Sequence, residues 1–133
     1  RDLLFVRLRG AVAAVQAACR TMLAEVPGER MDNAQAGPDW ALCRDQRLPF
    51  FADVPAPELA LWRLSVAPTA PVLELPWPQL VEWHGGQRWL WAPLAAQTQL
   101  RQAAGELGVG AAVAAAAQAD VESRRARRGV AAH

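Results

Sequence analysis

Apolar and polar positions alternate at the start of the chain, where Leu4, Val6 and Leu8 fall between Phe5, Arg7 and Arg9. A period of two predicts a half-buried strand over residues 3–9, broken by Gly10. The period then lengthens. Val12, Val15, Cys19 and Met22 recur at steps of three and four, which predicts an amphipathic helix ending before Pro27-Gly28. A short strand is expected over Glu29 to Asp32. A second helix starts on a cap at Asp32 or Asn33, or only at Pro38; it carries Trp40, Cys43 and Arg47 on one face and is closed by Pro49. Phe50-Phe51 is expected to plug the core, ahead of a loop over residues 52–58.

Leu59 to Val66 reads as a further strand, with Leu61, Arg63 and Ser65 on one face and Trp62, Leu64 and Val66 on the other. Pro68, Pro71, Pro76 and Pro78 predict an extended, edge-type stretch. Gly85-Gly86 between two alternating runs predicts a tight hairpin, because a two-residue primed turn needs positive φ. That loop places His84 opposite Gln87, Trp83 opposite Arg88 and Glu82 opposite Trp89, with a cation–π contact between Trp83 and Arg88. Pro93 opens a last helix whose apolar side is Leu94, Leu100, Ala104 and Leu107, stopping at Gly108. Ala111 to Ala117 is a candidate final strand by position, although Ala is a poor strand former, and Arg124 to Arg128 reads as a solvated tail.

These elements predict an α+β architecture, an antiparallel sheet with helices on one face, as in ferredoxin-like folds. Residues 1–108 form the expected domain; residues 109–133 form an Ala/Arg-rich tail with a last strand followed by disorder. With 133 residues, 53% of them hydrophobic, the chain closes one core and is too short for two ordinary ones. The 14 basic residues, all Arg, nearly cancel 13 acidic ones, so the basic field of a nucleic-acid binder is missing. No apolar run approaches the ~20 residues needed to cross a bilayer, and no signal peptide is visible. The chain starts without Met and directly in a strand-like pattern, as the middle of a longer protein would.

Much familiar chemistry is absent from the pattern. There is no phosphate loop, no dinucleotide fingerprint and no nucleophile elbow, and the only serines are Ser65 and Ser123. Cys19 and Cys43 make no disulfide framework and share no metal-type spacing with His84 or His133, so they read as reduced thiols of a cytosolic protein. His84 beside the Gly-Gly turn reads first as structural. Arg44 and Arg63 are the candidates for holding a small carboxylate, because a guanidinium can clamp it with two parallel hydrogen bonds; the alternative for both is an internal ion pair with Asp45, Asp53 or Glu82. Trp62, Trp77, Trp83, Trp89 and Trp91 fall within 30 residues. They read as core and sheet-face packing; alternatively Trp62, Trp83, Arg88, Trp89 and Trp91 make an interface, since Trp and Arg are enriched at binding hot spots.

Four segments carry a family resemblance in order: Val6-Arg7-Leu8-Arg9-Gly10-Ala11, then Arg44-Asp45-Gln46-Arg47-Leu48-Pro49-Phe50-Phe51, then Leu61-Trp62-Arg63-Leu64-Ser65-Val66, then Val81-Glu82-Trp83-His84-Gly85-Gly86-Gln87-Arg88-Trp89-Leu90. Over residues 3–104 they resemble the C-terminal part of the FAD-binding E subunits of bacterial glycolate oxidases, in the FAD-linked oxidase family. The resemblance implies a cap domain with a ferredoxin-like core that covers the flavin and helps form the substrate pocket. FAD would be bound by a separate N-terminal domain, with no cofactor on this chain alone. It implies oxidation of glycolate, a small 2-hydroxy acid, to glyoxylate in a multi-subunit complex. The partners would be the flavin domain and the other subunits, in the cytoplasm or at a membrane through the complex. It also carries the role of binding the substrate carboxylate to Arg44. Cys43 interrupts the family's Leu-Arg-Asp/Glu pattern there, and the likeness fades after Gly108. The alternative is a non-catalytic interaction module on the same kind of sheet.

Overall fold

The structure is a computed structural model that describes residues 3–107 and the backbone of residues 112–115. It divides into two compact units, Arg1–Ala41 and Leu42–His133. The first unit is helical. Helix α1 spans Val12–Glu25 and is stopped where the extended Val26 precedes Pro27. Helix α2 spans Asn33–Arg44 and begins in the first unit. Its start is a reciprocal capping box: the Gln35 N–H donates to Asp32 Oδ1 at 2.9 Å, and the Asp32 N–H donates to Gln35 Oε1 at 3.2 Å. The cap at Asp32 is therefore the start that forms, and Pro38 lies inside the helix. The guanidinium carbon of Arg7 stands 5.6 Å from the centre of the Trp40 ring.

Two strands expected in this unit do not form. Residues 3–9 run without a ladder, and residues 29–32 lead straight into the α2 cap. A period-two pattern supplies a face to bury, but a strand exists only where a neighbouring edge takes its N–H and C=O groups. Among the described residues nothing pairs with 3–9, and Leu4 is 84% exposed.

The second unit holds the sheet. After the one-turn helix α3 (Pro49–Ala52) come β1 (Leu59–Ser65), β2 (Gln79–Glu82), β3 (Gln87–Pro93), helix α4 (Gln97–Gly105) and β4 (Ala112–Ala115). Short 3-10 turns join β2 to β3 and β3 to α4. The strand order is β2-β3-β1-β4, and every neighbouring pair is antiparallel. β4 forms within the Ala-rich stretch expected to hold a last strand, pairing with β1 from Trp62 opposite Ala115 to Ser65 opposite Ala112. The boundary expected at residue 108 and the Arg-rich tail lie outside the described residues. None of the described helices is long and apolar enough to cross a membrane.

Both sheet faces are covered, which corrects the expectation of helices on one face. Ala60, Trp62 and Leu64 of β1 with Leu90 and Ala92 of β3 pack against Leu100 and Ala104 of α4 and against Leu73. Leu61, Trp89 and Trp91 face the opposite way and pack against Phe51 of α3. The alternation in β1 therefore sorts residues as the sequence indicates. Residues 66–78 form no edge strand; four prolines remove the N–H groups a ladder needs, and the segment contributes Leu73, Leu75 and Trp77 to the core instead. Pro93 ends β3 and caps the 3-10 turn Leu94–Ala96, which runs directly into α4, so the helix proper starts one turn later than expected.

The hairpin differs by two residues from the tight form. Glu82 pairs with Gln87, Val81 with Arg88 and Leu80 with Trp89, so the loop has four residues, 83–86. Trp83 and His84 both take left-handed backbone (φ 53° and 52°), with Gly85 at 95°. A slip of two preserves the period of the pleat, so each side chain keeps its face while its partner changes. Gly85 is required here: a Cβ at that position would lie 2.9 Å from the Pro68 carbonyl oxygen.

Candidate functional site

The residues singled out by the sequence separate into core, latch and surface. Trp62 is 2% exposed, and its indole N–H donates to the Ala92 carbonyl at 3.0 Å. Trp91 is buried and donates to the Phe50 carbonyl at 2.8 Å. Trp89 is buried, stacked edge-on against Phe51 at 5.3 Å. Of the five expected interface residues only Trp83 stands out in solvent, at 76% exposure.

Arg88 is 4% exposed and does not meet Trp83. Its guanidinium donates to the carbonyls of Pro71 (2.7 Å), Ala70 (2.8 Å) and Gly85 (3.2 Å). The planar fork thus latches the proline-rich connection to the hairpin. Desolvation by this burial pulls its pKa below the usual arginine value. The cation–π expectation fails because Val81, not Trp83, is the partner of Arg88 across the strands.

The two candidate carboxylate clamps part company. Arg44, at the end of α2, gives its Nε–H to Asp45 Oδ1 at 2.8 Å and a second N–H to Oδ2 at 3.2 Å. This exposed pairing raises the Arg44 pKa and lowers that of Asp45. Arg63 lies mid-strand in β1, exposed, and makes no ion pair among the described residues. Among the described residues Arg63 therefore has no ion-pair partner, whereas Arg44 is engaged by Asp45.

What surrounds Arg63 follows from register. Residues directly opposite one another share a face. Ser65 is opposite Gln87, and Gln87 is opposite Glu82, which makes one polar row across three strands; Arg63, opposite Trp89 and followed by Leu80, makes the next. Glu82 organises this end. Its Oε1 accepts from the Cys43 thiol at 3.2 Å, and its Oε2 accepts from Trp89 Nε1 at 2.9 Å and from Gln87 Nε2 at 3.2 Å. The Cys43 pKa is pushed up to about 11, first by desolvation and then by the hydrogen bond and charge of Glu82. A thiol held protonated in this way is a poor nucleophile.

The other end of the sheet is apolar. A pocket of about 230 Å³ is lined by Phe50, Asp53, Pro55, Leu59, Trp77, Pro78 and Trp91. That is below the ~300–1,000 Å³ typical of ligand clefts, and neither candidate Arg lines it. The glycines of the hairpin do not make a phosphate cradle: Gly85 closes on Pro68, and a Cβ on Gly86 would lie 3.3 Å from the Trp83 carbonyl oxygen. Among the described residues no group of three His, Cys, Asp or Glu side chains is placed to hold a metal ion. His84 sits exposed in the turn. Sequence reasoning missed the grouping of Glu82 with Gln87. The four-residue loop was the missing signal, because only that register sets the two opposite each other.

The fold and site define an α+β sheet domain with an exposed guanidinium, without an ion-pair partner among the described residues, at the polar end of one face. Among known proteins, the chain is similar to glycolate oxidase subunit GlcE of Escherichia coli (strain K12), with 41% identity over 87 residues. This match covers 65% of the chain and bears out the resemblance carried by its ordered segments. The chain spans about a fifth of the length of that relative, 21%. No protein-family model matches the chain, and no solved structure matches it.

Proposed function

We propose that this chain is a cap domain of an FAD-dependent subunit that oxidises a small 2-hydroxy acid, glycolate to glyoxylate, within a multi-subunit complex. The observation that carries this reading is the 41% identity to a glycolate oxidase subunit over 87 residues. The sheet supports it. Read from its other edge, the order is 4-1-3-2 with all neighbours antiparallel. That is the order of a ferredoxin-like fold in which residues 66–78 stand where the first crossover helix would be. FAD, bound by a separate domain, supplies the two-electron acceptor. The task of this chain is to bind and orient. Arg63 holds the substrate carboxylate from the polar end of the sheet, a role left open by its lack of an ion pair among the described residues. Arg44, committed to Asp45, contributes less. The exposed Trp83 faces the flavin domain or a neighbouring subunit.

The test is a chimera in which residues 3–107 replace the matching segment of the Escherichia coli subunit, assayed for glycolate-dependent dye reduction. Recovered activity supports the reading, with Arg63→Gln raising KM for glycolate about tenfold or more, as loss of a charge-assisted contact predicts. An assembled, flavin-loaded but inactive chimera overturns it. So does purification of the isolated chain with FAD bound.

A second reading, an interaction module without chemistry, draws on Trp83 alone. It is favoured if Trp83→Ser abolishes assembly while Arg63→Gln leaves KM unchanged.

A further inference from the structure

We infer that Gln87 is the residue that reads the α-hydroxyl of the acid whose carboxylate Arg63 holds. The inference rests on the Arg63 reading above and adds a specificity residue to it. Two observations and one general property of antiparallel ladders carry it. Gln87 is opposite Ser65 in the β1–β3 ladder, and Arg63 lies two residues before Ser65 on the same face. Diagonal neighbours in such a ladder are ~7–8 Å apart, within the common reach of long side chains and a two-carbon ligand. The Gln87 amide is oriented: Nε2 donates to Glu82 Oε2 at 3.2 Å. A carboxylate accepts only, so Gln87 must turn its nitrogen toward Glu82 and its oxygen away.

That leaves Gln87 Oε1 as an acceptor with no partner among the described residues, beside a guanidinium that only donates. The pair has the polarity of a 2-hydroxy acid. The carboxylate accepts from Arg63, and the α-hydroxyl donates to Gln87 Oε1. A simple carboxylate such as acetate satisfies the first contact and leaves the second unmade. Glu82 is a positioning residue in this arrangement, since it acts only by fixing which end of the Gln87 amide faces out. Discrimination by one added neutral hydrogen bond is about three- to tenfold.

The experiment is an NMR titration of the full 133-residue chain with glycolate and with acetate, following the Arg63 Nε–H and the Gln87 side-chain amide. Both acids are expected to shift Arg63. Glycolate alone is expected to shift Gln87, with an apparent Kd three- to tenfold below that of acetate. In Gln87→Met, and in Gln87→Asn should the former fail to fold, the difference between the acids is expected to vanish while Arg63 still responds. Equal response to both acids in the unaltered chain, or a preference for glycolate that survives the Gln87 substitution, overturns the role of Gln87 and leaves that of Arg63 standing. Silence of Arg63 toward both acids overturns the Arg63 reading itself, and this inference with it.

Discussion

The indole N–H of Trp89 donates to Glu82 Oε2 at 2.9 Å, joining neighbouring strands at the point where the apolar half of the sheet face gives way to its polar end. The same carboxylate takes the Cys43 thiol and the Gln87 amide. One side chain thus ties the end of α2, β2 and β3 together and sets the surroundings of Arg63.

Glu82→Ala leaves a buried indole N–H without its acceptor. It is expected to destabilise the fold by about 1–3 kcal/mol, measured by urea unfolding. Glu82→Gln keeps one acceptor oxygen and should cost less. An unchanged urea midpoint for the alanine variant would show that the cluster is not closed in solution.

Arg88→Met strips three part-buried backbone carbonyls of their donors and is expected to cost about 1–3 kcal/mol, the penalty of hydrogen bonds lost without full replacement by water. Arg88→Lys should rescue little, because an ammonium on a flexible stem cannot reproduce the planar fork. Limited proteolysis within residues 66–78 should quicken in both variants.

The thiol of Cys43 gives a pH signature. Its folded pKa of about 11 lies above the ordinary value of 9.0, so the folded state holds this proton more tightly than the unfolded one. The resulting stabilisation is complete below pH 9 and is lost as pH rises toward 11. Cys43→Ser should flatten the fall in stability across that window in denaturant titrations. Identical slopes for the two proteins would sink the assignment.

Gly85 has φ +95° and meets the Pro68 carbonyl, so Gly85→Ala is expected to destabilise by more than about 1 kcal/mol. A lowered midpoint in thermal unfolding checks it, and an unchanged one would show that the turn relaxes at no cost.

Solvent access should separate the tryptophans. Trp83 at 76% exposure and Trp62 at 2% define the extremes. Removing Trp83 should abolish the most acrylamide-quenchable share of the emission and change stability by less than about 0.5 kcal/mol.

Local periodicity and punctuation determined a good part of this protein. The step of three and four placed α1, and the strict alternation in β1 assigned Leu61 and Arg63 to one face and Trp62 and Leu64 to the other, while the start of α2 was narrowed to Asp32, Asn33 or Pro38. Those features depend on neighbours a few residues away, which the sequence displays directly. Tertiary structure decided the rest. Residues 3–9 carry a strand pattern but meet no edge among the described residues, since pairing is a property of two segments and only one of them is local. The hairpin register was settled by the turn that Trp83 and His84 adopt, and with it the fate of Arg88 as a buried latch and of Glu82 as the partner of Gln87. Whether an arginine is free or engaged also lay beyond the sequence. Arg44 and Arg63 were both candidates along the chain, and only the placement of carboxylates around each in space paired the first with Asp45 and left the second, among the described residues, without an ion pair.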